Sequence, residues 1–463
     1  MRRSILLLAV LTALALVAGQ AGAAPRVRLL KDIVPGERGA KPDEITSIAD
    51  TVFFEAWTPA SGRELWKSDG TRTGTVMVKD IRPGEDPSKP YWLTDGNGTL
   101  FFVANDGTHG YELWKSDGTE AGTAIVKDIS PAGYGWFSPA LLTDGNGTLF
   151  FVANDGTHGY ELWKSDGTEA GTAIVKDIWP GPEGSISGYD YLVDIGGTVY
   201  FVAHDGTHGY ELWKSDGTET GTVMVKDICP TACMENFELT SVGGTLFFTA
   251  DDGTHGYELW KSDGSESGTI MVKDIFPGSP WHSSDPFNLT DAGGVLYFTA
   301  DDDTHGEEPW MSDGTEAGTR MVKNIDGGRS SSYGFVEVGG TVFFGADDGT
   351  HGVELWRTDG TRAGTVIVKD INPGRWKSDS NPGWLTGFGG ALYFAADDGT
   401  HGRELWRTDG SRAGTVIVRD LYRGVRGSIP AWVTIHTGRL LFGAMTPATG
   451  RELWKYRLRD ASS

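Results

Sequence analysis

Cysteine is almost missing: Cys229 and Cys233, within Cys-Pro-Thr-Ala-Cys, are the only two in 463 residues. A disulfide framework therefore cannot be what holds the fold, and two thiols alone are too few ligands for a structural zinc. In an oxidising compartment the pair is expected to bond to itself, and so small a loop would pin only its own neighbourhood. Positive charge is also in deficit, with Lys plus Arg 40 against Asp plus Glu 63 and a net charge of −23. That balance argues against nucleic acid and anionic membrane surfaces as partners. Long apolar runs are absent beyond the first residues, so no segment approaches the ~18 apolar residues of a membrane span and no membrane insertion is expected.

The one apolar run, Ile5 to Ala18, follows Met1-Arg2-Arg3 and precedes Ala21-Gly22-Ala23. This is the layout of a secretory signal peptide, with cleavage expected after Ala23. The division expected is 1–23 as signal, 24–458 as one folded unit and 459–463 as a short tail. No cysteine stands where a lipid anchor needs one, so the mature chain is expected to be secreted, extracellular or periplasmic.

What is abundant is repetition. Tryptophan recurs at Trp66, Trp114, Trp163, Trp213, Trp260, Trp310, Trp356, Trp406 and Trp454, spaced by 46 to 50 residues within a Glu-Leu-Trp phrase. A fixed period of that size marks a copied supersecondary unit. In the unit from Trp92 to Ile129, four short candidate strands are separated by Gly-rich turns. Asn105-Asp106-Gly107-Thr108-His109-Gly110 and Ser116-Asp117-Gly118-Thr119 supply the turn residues. Adjacent strand residues face opposite ways, and Phe101 with Phe102, like Leu113 with Trp114, makes both faces apolar. Such a sheet must be sandwiched between neighbours, as radial blades are in a β-propeller. Burying one tryptophan contributes at most about 4–6 kcal/mol, so the series is read as repeat core.

The strand count predicts how the array ends. Val27 to Ile33 matches the last strand of a unit, whereas the chain finishes at Trp454-Lys455-Tyr456-Arg457-Leu458 on a third strand. The orphan at one end supplies what the other lacks, which predicts an all-β propeller of nine four-stranded blades closed by the N-terminal strand. An open solenoid is the alternative, because Thr58-Pro59-Ala60-Ser61-Gly62 and Thr446-Pro447-Ala448-Thr449-Gly450 replace the usual Asp-Gly-Thr-His-Gly in the terminal units.

The phrase Glu-Leu-Trp-x-x-Asp-Gly-Thr, as in Glu112 to Thr119, resembles the bacterial family of ELWxxDGT repeat proteins over nearly the whole chain after the signal segment. The resemblance implies a secreted or surface-exposed, propeller-like β array and carries no particular activity. One unit departs from the pattern at Pro309, and the lost ladder donor predicts a local irregularity in that strand.

Repeated polar residues are read as structural. His109, His158, His208, His255, His305, His351 and His401 occupy one turn position in seven units, too far apart to share a metal. The glutamate of each phrase is expected to satisfy turn amides. Calcium is the one metal to weigh, through Asp251-Asp252, Asp301-Asp302-Asp303, Asp347-Asp348 and Asp397-Asp398, although these carboxylates are consecutive rather than alternating. No other cofactor is expected.

A unique site should lie where the repeats disagree. Leu93 to Ile129 is identical to Leu142 to Ile178, while the connectors on either side differ. Those connectors carry Tyr134, Trp136, Trp179, Tyr189, Trp281, His282 and Trp376, and the residue at the head of the innermost strand runs Glu44, Trp92, Leu141, Tyr191, Glu238, Asn288, Gly334, Trp384, Trp432. The aromatics among these are the candidate ligand-binding residues, suited to stacking on a glycan or gripping a surface protein at the channel mouth. No catalytic residues are assigned, and a monomer is expected. The enzymatic alternative, a glycan hydrolase or lyase in the channel, would draw on the most divergent unit, with Glu307, Met311 and Asp326-Gly327-Gly328-Arg329. A third reading is a structural array stiffened by calcium.

Overall fold

The computed structural model describes residues 26–130, 138–186, 191–230, 238–278, 281–328, 330–374 and 378–457. The signal segment 1–23, the tail 459–463, and the candidates Tyr134, Trp136, Tyr189, Cys233, Arg329 and Trp376 lie outside them. Nine four-stranded antiparallel sheets form a nine-bladed β-propeller. Blades 1 to 8 span 43–79, 91–127, 140–174, 193–226, 239–273, 287–321, 333–369 and 383–419. Blade 9 combines 431–457 with the N-terminal strand Arg26–Lys31, which pairs with Gly450–Arg457 as its outermost strand d. Strands a touch their neighbours all round, including blade 9 to blade 1, so strand a is innermost and the ring is closed rather than an open solenoid.

Packing follows from the two greasy faces. Each core cluster joins one face of a blade to the opposite face of the next: Phe53 and Leu65 of blade 1 pack with Phe102 and Trp114 of blade 2. The seam has a cluster of the same kind, in which Leu30, Leu441 and Leu453 meet Phe54 and Trp66.

Polar bolts reinforce the same interfaces. The lysine of each Val-Lys-Asp-Ile strand d reaches the following blade, as Lys79 Nζ donates to the Thr123 carbonyl at 2.8 Å and lies 5.9 Å from the Trp114 ring centre. Lys31 makes the equivalent contacts across the seam with Thr75 and Trp66. The cation thus sits on the π-face of the next blade's tryptophan, a contact worth about 0.5–2 kcal/mol.

The connector from strand d to the next strand a is held by the phrase glutamate. Glu112 accepts the Ile129 and Ser130 N–H groups at 3.0 Å each, and Glu64 accepts those of Ile81 and Ser88. At the seam, Glu452 accepts Ile33, Val34 and Ala40 at 2.9 to 3.1 Å, so the last strand of the chain organises its first turns. Only glycine fits there. A Cβ on Gly39, whose φ is +60°, would come within 2.3 Å of the Arg451 backbone nitrogen.

Strand c of blade 6, Glu307–Ser312, corrects one expectation. It is a continuous six-residue strand in which Pro309 pairs with Thr299, and the Pro309 carbonyl still accepts the Val322 N–H at 2.8 Å. In blades 1, 2, 4, 5, 7 and 8 the equivalent leucine makes a further rung with strand d, as Leu259 does with Lys273; blade 6 lacks that rung and its strand d is only Arg320–Met321, as short as that of blade 3, so the irregularity falls on strand d and not on strand c.

Replacing Glu452 with alanine strands two buried N–H groups and one part-buried, and should destabilise the ring by roughly 3 kcal/mol or more. Urea unfolding and protease sensitivity of residues 26–40 would report it. Unchanged values would show that closure rests on apolar packing alone.

Candidate functional site

The repeated polar residues are committed to the scaffold. The nine phrase glutamates, Glu64 to Glu452, are at most 1% exposed. Burial pushes the Glu112 carboxyl up to about 7 against the pull of the Ile129 and Ser130 N–H groups, and Glu64, Glu161, Glu211, Glu258, Glu354 and Glu452 reach about the same value. A carboxyl shifted that far is a common mark of catalysis. Here, nine equivalents each bound to their own connector mark a structural series.

The turn histidines behave alike. His109 Nδ1 lies 2.7 Å from Asp106 Oδ2, and the other six pairs repeat this at 2.7 to 2.9 Å. In blades 1 and 9 hydroxyl pairs replace them, Thr58 with Ser61 at 2.7 Å and Thr446 with Thr449 at 2.8 Å. The acidic runs considered for calcium are occupied in the same way: Asp251 accepts the Gly253 N–H and Asp252 those of Thr254 and His255. Among the described residues no group of three or more His, Cys, Asp or Glu is placed to hold a metal. Cys229 is disulfide-bonded and buried.

The head of strand a is different. It is a bulge: register shifts there in blades 1, 2, 3, 6, 7, 8 and 9, and the bulged residue is left-handed. Glu44, Trp92, Leu141, Asn288, Trp384 and Trp432 have φ between 54° and 57°, and Gly334 has 69°. Positive φ is rare for bulky side chains and strains the backbone. A threonine two residues on secures it, as Thr94 Oγ1 donates to the Trp92 carbonyl at 3.0 Å and Thr386 Oγ1 to that of Trp384 at 3.1 Å. A bulge re-aims the side chain, and here it does so in seven of the nine blades at the inner ring.

Those side chains meet round the mouth. Trp384 and Trp432, on adjacent blades, have ring centres 4.9 Å apart at 39°. Trp92 and Trp384 are each 42% exposed, high values for rings on the innermost strand, and Tyr191, two residues ahead of that strand in blade 4, is 46% exposed. Between Trp432 and Trp92, the Glu44 carboxylate is raised by burial and accepts the Leu93 and Trp92 N–H groups of the next blade. Glu238 likewise accepts the Leu289 N–H at 3.3 Å, and Asn288 Nδ2 donates to the Ser332 carbonyl at 3.2 Å. An arc of blades 8, 9, 1 and 2 therefore presents three tryptophans and one carboxylate.

The connector aromatics divide. Trp179 is half-buried and stacked on His204 of the next blade, with ring centres 4.6 Å apart, so it fills a gap between blades and takes no part in the mouth. Trp281 is 91% exposed, and His282 packs on Phe276 with centres 4.9 Å apart. Of the divergent unit, Met311 packs against the core shared with blade 7 and Asp326 donates its N–H to Glu308.

Sequence reasoning missed a basic group at the seam. A cavity of about 620 Å³ between blades 9 and 1 is lined by Arg38, Lys41, Arg63, Arg426 and Arg451, together with Trp432. The available signal was positional. Arg403, Arg451 and Arg63 precede the phrase glutamate in blades 8, 9 and 1, where blades 2 to 5 have Tyr111, Tyr160, Tyr210 and Tyr257.

No protein-family model matches the chain, and no curated protein does. Among solved structures, the chain is similar to the computationally designed Ika8 protein, at 14% identity and a TM-score of 0.44 over 82% of this chain and 99% of that one. It is also similar to puromycin hydrolase, at 13% and 0.39 over 80% of this chain and 61% of that one. Prolyl oligopeptidase B from Galerina marginata is matched at 9% and 0.40, over 77% of this chain and 54% of that one. The chain thus spans little more than half the length of these peptidases.

Two outcomes follow from this geometry. At a left-handed position glycine is relaxed and alanine strained, so Trp92→Gly should be more stable than Trp92→Ala by about 1 kcal/mol in urea unfolding, and the reverse order would deny the bulge. The second concerns pH. The raised glutamates bind protons more tightly when folded, so their contribution is complete below the ordinary value of 4.5 and is lost as pH rises through about 7. His109, raised by the hydrogen bond that its ring donates to Asp106 and then by that charge, acts in the same direction. Asp106 opposes them: burial raises it, but the His109 N–H and ring hydrogen bonds prevail and hold it below its ordinary 3.8, so its contribution is lost as pH falls through that range. Calorimetry should therefore find the highest Tm between about pH 4 and 6 and a decline toward pH 8. A Tm rising steadily to pH 8 would contradict the glutamate assignment.

Proposed function

We propose that this chain is an exported, non-catalytic binding scaffold that captures an extracellular glycan or surface protein at the mouth of its channel. The observation that carries this reading is the bulged head of strand a, where one backbone device, repeated round the ring, displays different side chains. Trp92, Trp384 and Tyr191 offer exposed ring faces for stacking on sugar rings and Trp432 a half-buried one, while Glu44, Glu238 and Asn288 offer polar groups beside them. The resemblance to secreted ELWxxDGT repeat proteins, the signal-like N-terminus and the net charge of −23 are in keeping with an extracellular partner other than nucleic acid or membrane. The protein would act as a monomer, without a cofactor.

A glycan array and a cell-surface pull-down, each run with and without calcium, test the reading. Replacing Trp92, Trp384 and Trp432 together with alanine should weaken capture by at least about tenfold while the cooperative melt is retained, since each lost ring contact is worth about 0.5–1.5 kcal/mol beyond its area. Capture that survives in the triple variant would refute the placement, and turnover of a captured glycan would refute the non-catalytic role.

A further inference from the structure

The seam cavity is basic in a strongly acidic protein. Five cations, Arg38, Lys41, Arg63, Arg426 and Arg451, face only Glu37 and Asp43 across it. Arg63 is committed to Glu55 at 2.8 Å. Among the described residues, the other four make no ion pair. Arg38 lies 3.7 Å from the Trp57 ring centre, a contact that orients a guanidinium plane and leaves its N–H edge for a ligand, and Arg426 lies 5.5 Å from that of Tyr422, to whose hydroxyl its Nη1 donates at 3.5 Å. Arg451 is half-buried: its Nη2 donates to the Ile429 carbonyl at 3.3 Å, and its Nε is buried without a hydrogen-bond partner. Burial also lowers its pKa, with Asp43 the one acid opposing that shift. That Nε is closed off from the cavity, so what faces a ligand there is the partly desolvated guanidinium charge, and carboxylates match a guanidinium fork bidentately.

The cavity is continuous with the mouth. Trp432 lines it and packs on Trp384 of the preceding blade, with ring centres 4.9 Å apart. A bare inorganic anion would have no use for these rings, whereas an acidic sugar would use both features at once. We propose that the seam cavity binds the carboxylate of a uronic-acid-bearing saccharide, the adjoining sugar lying on Trp432 and Trp384. This rests on the reading of the mouth given above and names the class of glycan it takes.

Titration calorimetry on the purified protein, with a galacturonic-acid oligosaccharide, its methyl ester and inorganic sulfate, tests it. The acid oligosaccharide should bind about tenfold or more tightly than the ester, with the gap shrinking as salt rises, and sulfate should not match it. Arg38→Gln with Arg426→Gln, both exposed positions outside the core, should close the gap without moving the melt. Trp384→Ala should weaken both oligosaccharides alike. Equal affinity for acid and ester, sulfate binding as tight as the oligosaccharide, or no binding of the acid form would overturn the inference. If the arginine pair abolishes acid binding and Trp384→Ala leaves it unchanged, the seam site stands and the mouth reading falls. If Trp384→Ala abolishes equal binding of both forms, the mouth reading stands and the seam site falls.

Discussion

Everything variable in this propeller hangs from a buried carboxylate. The glutamate before each Leu-Trp pair accepts the first N–H groups of the connector that crosses to the next blade, so each connector starts from the same point whatever its sequence. Because an unsatisfied buried N–H costs as much as it does, this one contact confines the divergence of the connectors to their distal parts. Serines return to the same carboxylate in several blades, as Ser88 does to Glu64 and Ser428 to Glu404.

The architecture was legible because period, turn chemistry and strand count agree. Glu-Leu-Trp with two apolar faces required stacking, and the unmatched strand at 27–33 required a partner that only blade 9 could give. The histidine braces were legible too, since seven copies in one turn left no geometry for a shared ligand. The lysine bolts were not. Val-Lys-Asp-Ile reads as an ordinary amphipathic strand, and the partner of Lys79 stands 44 residues on, in a turn of the neighbouring blade. The position at the head of strand a was picked out by alignment, but its left-handed backbone was invisible, because tryptophan, leucine and glutamate carry no signal for positive φ. Trp179 shows the cost of judging connector aromatics by composition: only the structure separates a ring that fills a gap from one that faces the channel.

The seam concentrates what the other interfaces lack. Elsewhere the two blades that meet are consecutive in sequence throughout, whereas blade 9 is itself assembled from both ends of the chain. Between blades 9 and 1, the residues that line the interface come from opposite ends of the chain, Arg38 and Arg63 from one and Arg426 and Arg451 from the other. Hydroxyl-braced turns replace the histidine turns on both sides, and arginine replaces tyrosine before the glutamate. These exchanges coincide only once the ring is closed, which is why no window of the sequence displays them as a group.

Blades 2 and 3 are copies through the whole stretch from Leu93 to Ile129, yet the residue just ahead of each copy is Trp92 in one and Leu141 in the other. The scaffold is thus duplicated with its stacking surfaces, lysine bolt and connector anchor intact, while the displayed side chain lies outside the duplicated segment. Unequal exchange within such a stretch would add or remove a complete blade and leave the terminal pair untouched, so the size of the ring and the pattern round its mouth can evolve as separate characters.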